Sequence, residues 1–248
     1  MHVKTVSYQE LNLSPNAIKF AENYAPQLNK PFVVGILPNK YDKFGFMTDD
    51  GENYFIGVRF DVPHEDLEAN FCHELFHAYQ MSKGFPMVAG HESGTEKYCE
   101  NLRSTILDLS ANDALKQYQL TYKGVVKIRL KQCKRLCATS FKEINTQFAK
   151  DLLAINLILD LSDFTKIQCE NILEALQQHL PDVFQKYYEY HNVIFKENDY
   201  HTPEGCLHIF SHVFNDIGLW NHCSIFYSGE EICTQQKLNR VLQSIEEM

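Results

Sequence analysis

Residues 70–80 have the sequence Asn70-Phe71-Cys72-His73-Glu74-Leu75-Phe76-His77-Ala78-Tyr79-Gln80. This stretch is the strongest indication of the fold and of the chemistry of the protein. Apolar residues recur every four positions from about residue 64 to residue 83, which predicts an amphipathic helix. A glycine at position 84 and a proline at position 86 end this pattern. One side of the helix is apolar, and the other carries the polar side chains Asn70, His73, Glu74 and His77.

The polar side of this helix contains the motif His-Glu-x-x-His at residues 73–77. Residues four apart lie one turn apart on the same face, so His73 and His77 can direct their imidazoles at one ion. Glu74 lies about 100° around the helix and can reach a water on that ion. The spacing predicts a catalytic site with one zinc ion per chain. The alternative is an amphipathic helix whose solvent face carries two histidines and no metal.

A catalytic zinc ion needs a third protein ligand and an open position for water. A third histidine six residues after the motif would indicate a metzincin, but Lys83 occupies that position, and that class is excluded. A second predicted helix carries Glu96 and Glu100, and Glu92 precedes it. His91 is a further candidate. The residues alone leave the choice among these four open.

This arrangement resembles the gluzincin class of zinc metallopeptidases, which is related in plan to thermolysin, and also the compact intracellular gluzincins such as the ImmA and IrrE group. The resemblance covers about residues 50–110. It implies that Glu96 is the third zinc ligand and that Glu100 accepts the outer N–H of His73. This sequence has Glu100 where the thermolysin-like pattern has Asp, and Thr95 where that pattern has Asn.

Glu96 also fits a purely structural pattern. The residues Ser93-Gly94-Thr95-Glu96 match a capping box, in which the Glu96 side chain would accept from the backbone N–H of Ser93. A glutamate used in this way does not bind a metal. Glu100, Glu92 and His91 therefore stay as alternatives to Glu96.

The resemblance implies that a metal-activated water hydrolyses a peptide bond and that Glu74 is the general base. Thermolysin-like enzymes stabilise the developing oxyanion with a histidine from a downstream helix, which makes His212 or His208 the analogue in this chain. Asp216 lies one turn beyond His212 and could orient it. The alternative is a solvated polar helix face. Weaker donor candidates are Tyr54, Tyr98 and His91.

The strand predicted at residues 54–61 directly precedes the motif helix, as the substrate-binding edge strand does in zincins. We expect a peptide or protein substrate to pair with this edge through main-chain hydrogen bonds, with Tyr54 and Arg59 as substrate-binding residues. The alternative for Arg59 is a surface ion pair with one of the 32 acidic residues of the chain.

The remaining pattern predicts an α+β fold. Strands are predicted at residues 32–37, 44–48 and 54–61, and Asp49-Asp50-Gly51 predicts a hairpin. Further helices are predicted at residues 16–25 and near residues 140–160, 163–180, 182–195, 203–218 and 230–246. We expect a zincin-like core with a small, mostly antiparallel sheet at residues 1–120, and a mainly helical subdomain forming the other wall of the cleft at residues 121–248.

Composition narrows the range of partners and locations. The chain has 248 residues and a formal net charge of −9, which disfavours binding to nucleic acid and to anionic membrane surfaces. The N-terminus lacks a signal-peptide pattern, and no apolar run approaches the roughly 18 to 20 residues of a spanning helix. We therefore expect a cytoplasmic protein, with export by an unusual route left open. The eight cysteines are expected to be mostly free thiols.

Three functions are compatible with these observations. The first is a zinc metallopeptidase, either an endopeptidase or a more selective processing enzyme. The second is a catalytically weak, zincin-like regulatory module that binds zinc and a protein partner. The third is a structural helical protein with an accidental motif and no metal. The sequence does not specify the substrate or the oligomeric state.

Overall fold

The computed structural model describes residues 4–38, 45–91, 96–120, 166–192 and 197–247, together with isolated positions between residues 130 and 158. Within these residues the chain forms seven α-helices and seven short strands, which confirms the α+β class. The helices are α1 (Pro15–Tyr24), α2 (His64–Ser82), α3 (Glu96–Gln117), α4 (Lys166–His179), α5 (Pro181–Asn192), α6 (Pro203–Ile217) and α7 (Gln235–Glu246). The strands are β1 (Lys4–Val6), β2 (Phe32–Leu37), β3 (Gly45–Asp49), β4 (Tyr54–Arg59), β5 (Met87–Gly90), β6 (Cys223–Tyr227) and β7 (Glu230–Ile232).

The chain divides into two compact units. The first contains Met1–Lys83 and Ser110–Val125, and the second contains Gly84–Leu109 and Val126–Met248. This division differs from the expected 1–120 and 121–248, because residues 84–109 group with the later part of the chain. None of the described helices has the length and apolar character needed to cross a membrane.

The first unit contains a four-stranded sheet with the order β1-β2-β4-β3. The β2–β4 pair is parallel, and the other two pairs are antiparallel. The predicted hairpin joins β3 to β4, with Asp50 Oδ1 accepting from the backbone N–H groups of Glu52 and Asn53. The expectation that residues 54–61 form the edge is wrong, because β4 lies between β2 and β3. Among the described residues, the strand that lies at this edge of the sheet and contacts α2 is β3.

Helix α2 packs against this sheet through its apolar side. Phe71 and Leu75 are fully buried in one cluster with Ile56 and Val58 of β4 and Phe20 of α1. The helix starts after Pro63 with acidic residues in its first turn, where they favour the positive end of the helix dipole. It ends before a glycine at φ +78°. The apolar side thus fixes the helix on the sheet and leaves the side with the motif for other contacts.

The second unit contains strands that the sequence analysis missed. β5 lies within residues 84–94, which are rich in glycine and were expected to form a loop. It pairs with β6, which in turn pairs with β7. The helix expected at residues 230–246 begins only at Gln235 because β7 precedes it. Helices α4, α5 and α6 confirm the expectations near residues 163–180, 182–195 and 203–218. The helix expected near residues 140–160 lies largely outside the described residues.

Two of the cysteines, Cys99 of α3 and Cys223 of β6, form a disulfide within the second unit. The other described cysteines are free thiols: Cys72, Cys169, Cys206 and Cys233. Burial raises the pKa of the Cys72 thiol well above its ordinary value, and burial raises the pKa of Cys206 as well. Both thiols are therefore protonated at neutral pH, and they act as small apolar residues rather than as metal ligands.

Reduction of the Cys99–Cys223 disulfide is expected to lower the free energy of unfolding by about 2–4 kcal/mol, because the bond closes a long loop in the unfolded chain. Denaturant unfolding of metal-free protein, with and without a phosphine reductant, measures this change. Cys223→Ser should show the same loss without reductant. Cys233→Ser, at an exposed free thiol, is the matched control and should behave as wild type. Equal midpoints with and without reductant would contradict a stabilising bond.

Candidate metal centre

His73 and His77 direct their ring nitrogens at each other from consecutive turns of α2. Their Nε2 atoms lie 2.9 Å apart. The two rings are perpendicular, with centroids 4.5 Å apart. This is the convergence that the four-residue spacing predicts. Two neutral imidazoles in this arrangement offer two nitrogen ligands to a single ion.

A third ligand side chain, Asp108 of α3, lies with this pair. One ligand atom from each of His73, His77 and Asp108 lies within 4.8 Å of the other two. His73 is 9% exposed and Asp108 is 5% exposed, whereas His77 is half-buried. Buried carboxylates and imidazoles of this kind need a partner that compensates for lost hydration. The described part of the chain thus holds a group of three side chains that could bind a metal ion.

The donor set fits zinc. Catalytic zinc sites use three protein ligands drawn from histidine nitrogen and carboxylate oxygen, with the fourth position open. Zn–N bonds of about 2.0–2.1 Å in tetrahedral geometry separate two ligand nitrogens by about 3.3 Å. The observed 2.9 Å between the two Nε2 atoms is a few tenths of an ångström shorter. The spacing of the two nitrogens is therefore close to that of two ligands on one zinc ion.

Gln80 fixes the orientation of the His77 ring. Its side-chain oxygen lies 2.7 Å from His77 Nδ1, and its side-chain nitrogen donates to Ser110 Oγ at 2.8 Å. With the amide nitrogen committed to Ser110, the amide oxygen accepts from an N–H on Nδ1. The His77 lone pair is then on Nε2, on the side of His73. An outer hydrogen bond of this kind orients metal-binding histidines in general.

Gln80 and Asp108 are the two residues that the sequence analysis missed. Gln80 is 1% exposed and lies three residues after His77, on the same helix face. Asp108 stands between two buried leucines of α3, two residues before Ser110. A carboxylate between two leucines in a helix is the signal that could have identified it, because an isolated buried charge is rare. The third-ligand candidates that the motif spacing suggests all lie at residues 91–100.

Glu74 lies beside the edge strand β3. Its side chain is half-buried, and its Cγ and Oε1 atoms lie against Gly45 at the start of that strand. Being the next residue after His73, Glu74 projects about 100° further around the helix than that ligand. The carboxylate thus lies against the edge strand and belongs to the residue that directly follows His73.

The acidic candidates of the sequence analysis lie at or before the start of α3. Glu92 and the side chains of Glu96 and Glu100 lie outside the described residues, so their roles stay predictions. Glu96 begins α3, and Asp108 follows it twelve residues later. Twelve helical residues span about 18 Å along the axis, so Glu96 and Asp108 are alternative third ligands rather than joint ones.

The two residues predicted to bind substrate have partners within the first unit, and their substrate-binding role stays a prediction. Tyr54 is 1% exposed, and its hydroxyl donates to Asn29 Oδ1 at 2.8 Å and accepts from Ser82 Oγ at 3.1 Å. These contacts make Tyr54 a core residue of the first unit. Arg59 binds both carboxylate oxygens of Asp61, which is the surface ion pair considered as its alternative.

The histidine candidates for an oxyanion donor all lie in the second unit. His208 is half-buried and His212 is exposed, one turn apart on α6. His91 follows β5, and its Nε2 lies 2.6 Å from the buried Ser224 Oγ. The side chain of Tyr98 lies outside the described residues. The donor role of these residues stays a prediction.

Comparisons of the chain with protein-family models, with curated proteins and with solved structures find no match in any of the three. The resemblance to gluzincins over residues 50–110 therefore rests on the sequence motif alone, whereas the structure supports a group of His73, His77 and Asp108 that could hold a metal ion. The structural evidence for a function is the local arrangement of α2, β3 and Asp108.

Proposed function

We propose that the protein is a zinc-dependent peptidase in which His73, His77 and Asp108 hold the ion and Glu74 is the general base. The observation that carries the proposal is the convergence of the two Nε2 atoms, 2.9 Å apart, on a group that includes a buried carboxylate. Two neutral imidazoles and one carboxylate would leave a bound dication with a net positive charge. That is the donor set of hydrolytic zinc sites.

A bound zinc ion would supply Lewis acidity and would lower the pKa of a water in its open position towards about 7. The protein residues have three tasks around it. His73 and His77 hold the position, and Gln80 keeps the His77 lone pair directed at it through the 2.7 Å contact with Nδ1. Asp108 supplies the negative charge that a dication requires in a buried location.

Glu74 would carry the proton. Its carboxylate takes a proton from the attacking water and donates it to the leaving amine of the substrate, as a general base and then as a general acid. The half-buried position of Glu74 beside β3 supports this role, because a proton carrier needs access to both the water and the substrate. His212 or His208 stays the proposed donor to the oxyanion.

The edge strand β3 supports a peptide as the substrate class. One side of β3 pairs with β4, and β3 is the last strand of this sheet among the described residues, so we propose its outer side for main-chain pairing with a peptide. An extended peptide bound there by main-chain hydrogen bonds would lie next to Glu74. Such binding selects for extended conformation first and for side chains second.

Metal content and peptide cleavage test this proposal together. Protein purified without added metal is expected to contain about one zinc ion per chain by elemental analysis. A peptide library analysed by mass spectrometry should show cleavage that a chelator abolishes and that zinc restores. His77→Ala should lose both properties, whereas His201→Ala, at an exposed histidine outside the group, should lose neither. Absence of zinc after replenishment, or cleavage insensitive to chelator, would refute the proposal.

A further inference from the structure

Gly45 is the residue of the edge strand that touches the Glu74 side chain. A Cβ atom built on Gly45 would lie 3.1 Å from both Cγ and Oε1 of Glu74, and 3.3 Å from the backbone oxygen of Gly57. Non-bonded carbon atoms normally approach to about 3.5–4.0 Å. The strand and the side chain are therefore in contact only because residue 45 has no Cβ.

The surroundings limit how this contact could be relieved. Gly45 pairs with Val58 of β4, which fixes its place in the sheet, and the Gly57 backbone oxygen closes the other side of the space. A side chain at position 45 would therefore displace the Glu74 carboxylate rather than the strand. Glycine within a strand is unfavourable relative to alanine, and it often marks a close approach of another group.

Gly57 on the neighbouring strand provides a contrast. A Cβ atom at Gly57 would lie 2.7 Å from Phe46 Cε1 and 2.9 Å from Leu37 Cδ2. Its small size therefore serves the packing of apolar side chains. Gly45 differs because the group that it admits is the carboxylate next to the histidine pair.

We propose that Gly45 is a positioning residue that keeps the space in which the Glu74 carboxylate lies against the edge strand. This inference rests on the proposed function, because it concerns the base of that reaction. Gly45 itself touches neither the ion nor the reacting atoms. It determines where the carboxylate stands: a Cβ at position 45 would require that group to move by a few tenths of an ångström, and the rate depends steeply on the position of a reacting group.

Gly45→Ala tests the positioning role through kinetics. We expect kcat to fall about 3- to 10-fold, while KM and the zinc dissociation constant stay within about twofold of wild type. Thr5→Ala, at an exposed position of β1 at the far edge of the same sheet, is the control and should retain wild-type kcat. Unchanged kcat in Gly45→Ala would overturn the inference.

A double-mutant cycle tests the contact without relying on activity. Gly45→Ala should lower the denaturant midpoint of the protein, and the same change in a Glu74→Ala background should lower it less, because the colliding side chain is gone. Equal losses in both backgrounds would overturn the inference. If Gly45→Ala does not fold, Gly45→Ala combined with Glu74→Ala is expected to fold, since alanine lacks both Cγ and Oε1. Failure of this combination as well would contradict a specific collision with Glu74.

The two proposals fail in different ways. If wild type binds zinc but cleaves no peptide, the proposed function fails, and the positioning role fails with it, even when the cycle detects the contact. If wild type cleaves peptides and Gly45→Ala cleaves them equally well, the positioning role alone fails.

Discussion

Glu74→Gln is expected to lower kcat by about 10²–10⁴-fold while the protein keeps about one zinc ion per chain, because glutamine has nearly the same shape as glutamate and cannot accept a proton. The side chain would still lie against Gly45, so the fold and the histidine pair should remain as they are. Steady-state cleavage of the best library peptide measures kcat. Elemental analysis of the same preparation measures the zinc content.

The matched control for this change is Glu52→Gln in the hairpin between β3 and β4. Glu52 is an exposed acid of the same unit, and its removal changes the net charge by the same amount. Its kcat should equal that of wild type. Full activity of Glu74→Gln would eliminate Glu74 as the base. If wild type and Glu74→Gln both bind zinc and neither cleaves a peptide, the regulatory zinc-binding module becomes the better hypothesis.

The parts of the site that could be predicted from sequence are those that depend on local spacing. Helix α2 follows from apolar residues at every fourth position, and the convergence of His73 and His77 follows from their spacing of four positions. The hairpin between β3 and β4 follows from the turn residues, since Gly51 adopts φ +95°. Each of these features is determined within about twenty consecutive residues.

The parts that could not be predicted depend on pairing between distant segments. β5 pairs with β6 across more than a hundred residues, and no local pattern identifies a four-residue strand of this kind. The edge position of β3 depends on the parallel pairing of β2 with β4. Asp108 joins the histidine pair because α3 returns to α2, where Ser110 accepts from Gln80. The sequence near the motif contains no information about that return.

Asp108→Asn is expected to weaken zinc binding by more than the roughly 10- to 100-fold that loss of an outer hydrogen-bond partner causes, because it removes a charged ligand. Asparagine has the same shape as aspartate and keeps one oxygen, so the buried position stays filled. Competition with a chromophoric chelator measures the zinc dissociation constant. His77→Ala gives the reference for loss of a ligand, and circular dichroism confirms that each variant is folded.

Glu96→Gln is the matched comparison, because the resemblance to gluzincins assigns the third ligand to Glu96 and the described geometry favours Asp108. We expect Glu96→Gln to bind zinc within about twofold of wild type, since twelve helical residues place it about 18 Å along α3 from Asp108. The opposite result, with strong loss in Glu96→Gln and none in Asp108→Asn, would assign the ion to the start of α3. It would also make Asp108 a buried structural carboxylate. The two variants therefore distinguish a site completed near Ser110 from one completed at the other end of the same helix.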